Sequence, residues 1–173
     1  MATIEELRHS DQIIRDSAEA LGVALLAVPG YAAPSLTRAV QAEHNLYDRI
    51  QAEFGLFTAT EVGRGMGSRS SAPRNLASAA RSAGRLLAIR RGNNNFYPGF
   101  QFDADGQPLP VIEQLHDLAQ KHRRSETGIV QWLCAPTTYL SGESQDARRP
   151  VDLLVSDPAI VVDVAARAWD IEW

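Results

Sequence analysis

Sulfur is nearly absent: Cys134 is the single cysteine of the 173-residue chain. An intramolecular disulfide and a multi-cysteine metal cage are both excluded. Long apolar runs are missing too. The longest, Val23–Pro29, is far short of the roughly 18 residues a membrane span needs. Met1–Glu6 is acidic where a signal peptide is basic, so a cytoplasmic protein with no membrane contact is expected. Catalytic constellations are lacking as well. His9, His44, His116 and His122 fall on helical segments without metalloprotease spacing, and Asp103 and Asp105 have no further ligands at calcium-loop spacing. Gly63–Gly67 lacks the Lys and Ser/Thr of a phosphate loop and follows no predicted strand. Cys134, beside Trp132 and Leu133, reads as a core thiol. These absences predict a binding protein, not an enzyme, with no cofactor and no metal.

Acid is missing from one long stretch. The net charge is −4, yet Val62–Phe102 holds seven arginines with no Asp, Glu or Lys. Residues 1–61 carry nine acids against four arginines, and residues 103–173 carry twelve acids against six basic residues. A basic segment between acidic flanks points to an anionic partner for the middle of the chain.

Apolar content is 45%, enough for a packed core. Residues 3–21 have helical apolar spacing and stop at Gly22. Residues 35–53 form a second helix, with Ser35 as N-cap, a stripe of Leu36, Val40, Glu43 or His44, Tyr47, Ile50 and Phe54, and Gly55 as its stop. Thr58 and Glu61 make a capping box for a short helix ending among Gly63, Gly65 and Gly67. Ser70–Ala83 reads as a helix with Pro73 in its first turn, an apolar face of Leu76, Ala79, Ala80 and Ala83, and Gly84 as its end. Leu86–Arg90 and Phe96–Tyr97 flank Arg91–Asn95 as a β-hairpin. Helix, turn, helix and hairpin together give a winged helix-turn-helix.

On that reading Arg74, Asn75 and Arg81 lie on the helix that enters a major groove, with Arg69 just before it, and there Arg forks onto guanine and Asn onto adenine. Arg85, Arg90, Arg91 and Asn93 surround the wing, placed for phosphate or the minor groove. Asp103–Pro108 is a polar turn and the expected boundary. Beyond it come helices over 109–124 and 127–134, a polar loop 141–147, a turn at 150–154 and a helix 158–170 capped by Asp157. The expected fold is mainly α: an N-terminal helical extension (1–55) for dimerisation, a winged helix-turn-helix (56–104) and a C-terminal helical domain (105–173).

The C-terminal block carries a resemblance. Val130–Leu140, then Arg148-Arg149-Pro150-Val151-Asp152-Leu153-Leu154, then an Asp-started helix, is similar to the toxin-binding domain of Xre/MbcA/ParS-like antitoxins. Trp132, Pro136 and Leu140 match the first block; Arg149, Pro150, Asp152 and Leu153 match the second. The match covers about residues 108–173. The loop at 141–147 is longer than the family pattern, and the DNA-binding part is closer to excisionase or MerR-type winged modules than to an all-helical Xre module. The resemblance implies a type II antitoxin that neutralises a RES-domain, NAD-depleting toxin and represses its own operon. It implies toxin contacts at Trp132, Pro136, Tyr139, Leu140, Arg149 and Asp152. The aromatic, acidic tail of Trp169, Asp170, Glu172 and Trp173 is expected to occupy the toxin's NAD pocket. The alternative is a stand-alone DNA-binding regulator whose C-terminal domain senses a ligand or dimerises.

Overall fold

A computed structural model describes residues 34–140 and 147–170, with side chains from Gln41 onward. The helix expected over 3–21 lies outside the described residues, as do Glu172 and Trp173. Six α-helices and a three-stranded antiparallel sheet appear among the described residues: α1 (Pro34–Glu53), β1 (Leu56–Thr58), α2 (Ala59–Gly65), α3 (Arg74–Ser82), β2 (Ile89–Arg91), β3 (Asn94–Pro98), α4 (Pro110–Lys121), α5 (Glu126–Cys134) and α6 (Pro158–Trp169). Short 3₁₀ turns sit at Gly99–Gln101, Thr138–Leu140 and Pro150–Leu153. No helix among the described residues is long and apolar enough to cross a membrane. The chain divides into two compact units, 1–49 and 50–173.

Helix α1 begins at Pro34, so Ser35 lies inside its first turn instead of capping it. Tyr47 and Ile50 of the expected stripe are buried. His44 is not; it is exposed and lies 3.4 Å from Asp48. The expected division at 104/105 is crossed within the 50–173 unit by hydrogen bonds from both directions, Leu109 N–H to the Gln101 carbonyl among them.

Thr58 forms the predicted capping box: its hydroxyl accepts from Glu61 N–H while the Glu61 carboxylate accepts from Thr58 N–H at 2.7 Å. Ahead of the cap, Leu56–Thr58 pairs with β3, in the order β1-β3-β2. That strand corrects the expectation of a lone hairpin. Three residues are too few to show a period-2 pattern. The hairpin itself is as expected in kind: Arg91 pairs with Asn94 across the two-residue turn Gly92-Asn93. Gly92 has φ +58° at the first central position, which is positive in both common hairpin turns.

The phase of α3 differs from the sequence reading. Ala77 and Ala80 are fully buried, Leu76 is half-buried, and Ala79 and Ala83 are exposed. The cause is a close helix crossing: a Cβ on Gly63 of α2 would lie 1.9 Å from the Pro73 carbonyl. Glycine there lets α2 approach the start of α3, and the face Pro73–Ala77–Ala80–Gly84 turns inward. Val62, Ala77, Ala80, Leu86, Ala88 and Tyr97 form the core beneath the helix pair and the sheet.

Helix α4 buries Val111, Ile112, Leu115 and Ala119, with Leu118 half-buried beside them. Ser125 caps α5 through Gly128 N–H, and Asp157 caps α6 through Ile160 N–H with Pro158 at the first helical position. Val161, Val164 and Ala165 of α6 join Ile129, Val130 and Leu133 of α5 among the buried residues.

Candidate nucleic-acid interface

Two polar anchors fix α3 relative to the β2–β3 hairpin. Gln101 is completely buried, and its side-chain amide is satisfied on both ends: its Oε1 accepts from Leu87 N–H at 2.7 Å, while its Nε2 donates to the carbonyls of Leu87 (2.9 Å) and Pro98 (3.0 Å). A buried amide with its bonds made costs little, whereas an unmet one costs about 1–3 kcal/mol. Gln101 therefore ties the segment after α3 to the end of β3. The second anchor is Glu126, first residue of α5. Its carboxylate accepts from Arg81 Nε at 2.9 and 3.1 Å and from Ala88 N–H at 2.8 Å. One carboxylate thus holds the last turn of α3 and the entry to β2.

With that frame fixed, the arginines separate into two groups. Arg69, in the turn, and Arg74 and Asn75, in the first turn of α3, are exposed, with Ser78 and Ser82 further along the same exposed side of the helix. Arg85 is exposed after α3, and Arg90 and Asn93 are exposed on the hairpin. Arg90 Nε donates to the Gly92 carbonyl at 3.0 Å, bracing the turn. Arg91 is half-buried. Arg81 stands apart: expected at the nucleic acid, it is instead engaged internally with Glu126. That pairing spans 45 positions of sequence, so no local signal announces it. Nothing in the sequence singles out Gln101 or Glu126, since a polar residue before a turn and an acid at a helix start both read as solvated.

Among the C-terminal residues the distribution is mixed. Pro136, Tyr139, Asp152 and Asp170 are exposed, and Trp132 is half-buried. Leu140 and Trp169 are buried, at 6% and 3% exposure, which corrects their expected place on a contact surface. Trp169 ends α6, meets Trp132 edge-on at 5.1 Å between ring centroids, and lies beneath the Arg124 guanidinium. Burial of an indole against a second indole is core packing. Arg149 binds Glu53 through two nitrogens, at 2.6 and 2.8 Å, and Asp152 through Nε and Nη2, at 3.1 and 2.6 Å. These carboxylates, Glu53 foremost and Asp152 next, push its pKa up. The turn that starts at Pro150 is held from outside by this network and from inside by buried Leu153 and Leu154.

The arrangement defines a class: a mainly helical protein with a small antiparallel sheet, consistent with a winged helix-turn-helix. Among solved structures, the NMR structure of Rv2175c is similar to it, with a TM-score of 0.56 and 25% identity, over 67% of this chain and 82% of that one. No protein-family model and no curated relative matches the chain.

Proposed function

We propose that the chain binds duplex DNA through α3 and the β2–β3 wing and acts as a type II antitoxin whose C-terminal region, 105–173, docks a RES-type toxin. One observation carries the DNA-binding part. Arg69, Arg74 and Asn75 stand exposed around the start of α3, flanked by exposed Arg85 and Arg90, in a stretch with no acidic residue. Such a surface supplies phosphate contacts from arginine and base contacts from Arg74 and Asn75. The toxin-docking part rests on the motif of residues 130–154, whose Arg149-Pro150-Val151-Asp152-Leu153-Leu154 turn is rigidly held, with Pro136, Tyr139 and Asp152 offered to solvent.

Binding to the DNA upstream of the coding sequence, measured across salt concentrations, tests the first part. With Arg81 drawn inward, roughly three to four phosphate contacts remain, and log affinity should fall against log salt with a slope of about −3 to −4. A flat dependence, or no binding at low salt, removes the proposal. Co-expression with a neighbouring RES-type reading frame tests the second: protection from growth arrest is expected, and failure to protect leaves the stand-alone regulator. That second reading draws support from the single compact unit 50–173, in which the C-terminal helices brace the wing through Glu126.

A further inference from the structure

A cavity of about 340 Å³ opens within the 50–173 unit, walled by Phe54, Phe57 and Phe102 and carrying two carboxylates, Glu61 and Asp103. Its size is at the lower end for small-molecule sites. Each carboxylate has one oxygen committed to local structure. Glu61 Oε2 accepts from the Thr58 amide and hydroxyl, both at 2.7 Å. Asp103 Oδ1 accepts from Asp105 N–H at 3.0 Å and Gln107 N–H at 2.8 Å. The second oxygen of each has no hydrogen bond among the described residues, and no salt bridge reaches either group there. Arg64 acts on Glu61 only through space, as the weakest of the influences on it.

We infer that this cavity binds a small organic cation with N–H donors, a primary ammonium or a guanidinium. The walls and the charges select for it together. An anion would meet two carboxylates. A bare divalent metal would need six or so oxygen ligands, and aromatic walls supply none. An organic cation lays its methylenes against the aromatic walls and donates to the free oxygens of Glu61 and Asp103. Val62 and Gly65 of α2 complete the lining, so the ligand lies against the first helix of the helix-turn-helix. Occupancy therefore stabilises the α2 arrangement by mass action.

The test uses the full chain with agmatine as probe, an uncharged amide of equal length as control, and ionic strength held constant. Agmatine should raise the unfolding temperature saturably and show a matching binding isotherm in calorimetry; the uncharged control should do neither. The double variant Glu61→Gln, Asp103→Asn removes both charges and keeps the folds that use them: Gln serves in a capping box, and Asn retains the Oδ1 acceptor. It should bind agmatine at least about tenfold more weakly, a difference of one decade in Kd. Phe57→Ala, at a ring 39% exposed, should weaken binding without unfolding the chain. Absence of saturable binding, equal binding of the uncharged amide, or unchanged affinity in the double variant each overturns the inference.

Discussion

Glu126 grips Arg81 at 2.9 Å across 45 positions of sequence and takes the Ala88 amide at 2.8 Å with the same carboxylate. Both side chains are largely shielded, at 33% exposure for Arg81 and 24% for Glu126. Removing the acid leaves a half-buried guanidinium and a backbone N–H without partners. Glu126→Ala should cost about 2–3 kcal/mol in urea unfolding, while Glu126→Gln, which still accepts from Ala88, should cost about 1 kcal/mol. Arg81→Ala should follow Glu126→Ala in stability. On the proposed DNA-binding reading, Arg74→Ala should instead spare stability and weaken DNA binding. If Arg81→Ala leaves stability within about 0.3 kcal/mol of the parent chain, the internal role assigned to Arg81 is wrong.

Arg149 joins Glu53, at the end of α1, to Asp152, in the turn before α6. A lysine carries the charge without the planar fork, so it can reach one carboxylate but not grip both. Arg149→Lys should therefore recover little of what Arg149→Ala loses. The loss is modest because the network is partly exposed: about 1 kcal/mol, and less in high salt. Denaturant titrations of the three proteins at low and high salt measure it. A full rescue by lysine would show that charge alone, not geometry, holds the turn.

The features legible in the sequence are those with a local physical cause. The Thr58/Glu61 box and the Asp157-Pro158 start each depend on residues within four positions of one another, and the hairpin on a Gly/Asn-rich loop, though its turn is two residues long where the sequence suggests five. The features that escape it depend on distance or on pattern dilution. In an alanine-rich helix such as α3 the apolar face is ambiguous, and only the approach of Gly63 to Pro73 decides it. β1 is three residues long. Gln101 is buried by its surroundings, not by its own polarity. Of the proposed interface, Arg69, Arg74 and Asn75 are readable because an acid-free arginine run is visible in sequence. Arg81 is misplaced for the same reason: composition does not reveal an ion pair made elsewhere.

Glu61 gives a pH signature. The Thr58 backbone N–H, and then its hydroxyl, hold the carboxyl below its ordinary value of 4.5, against a smaller opposing effect of burial. A depressed pKa in the folded state means that ionised Glu61 contributes stability above about 4.5, and that this contribution is lost as pH falls through the folded value. Glu61→Gln has no such proton to gain. The stability difference between the parent chain and the variant should be constant above that pH and shift in favour of the variant as pH falls below it. Unfolding midpoints measured at a series of pH values decide; a difference that does not change with pH counts against the capping box as the source.

Trp169 closes α6 at 3% exposure, packed edge-on against Trp132, and its Nε1–H has no acceptor among the described residues. This bears on how a tail could act. A chain cut after Ala168 loses a core indole together with the tail, so any functional loss would be ambiguous. Trp169→Ala should cost about 3–5 kcal/mol. Trp169→Phe keeps a ring against Trp132 and removes the unmet donor, whose burial opposes folding by about 1–3 kcal/mol, so its net cost should be about 1 kcal/mol or less. A chain cut after Asp170 keeps the packed indole and should unfold like the parent. That chain, not the shorter one, separates the two roles on the proposed antitoxin reading. If it folds normally and no longer neutralises the toxin, the residues beyond Asp170 reach the toxin's site. If it neutralises as well as the parent, docking belongs to the body of the domain, through Pro136, Tyr139 and Asp152. A chain cut after Asp170 that unfolds as readily as Trp169→Ala would show that the end of α6 depends on the last three residues of the chain.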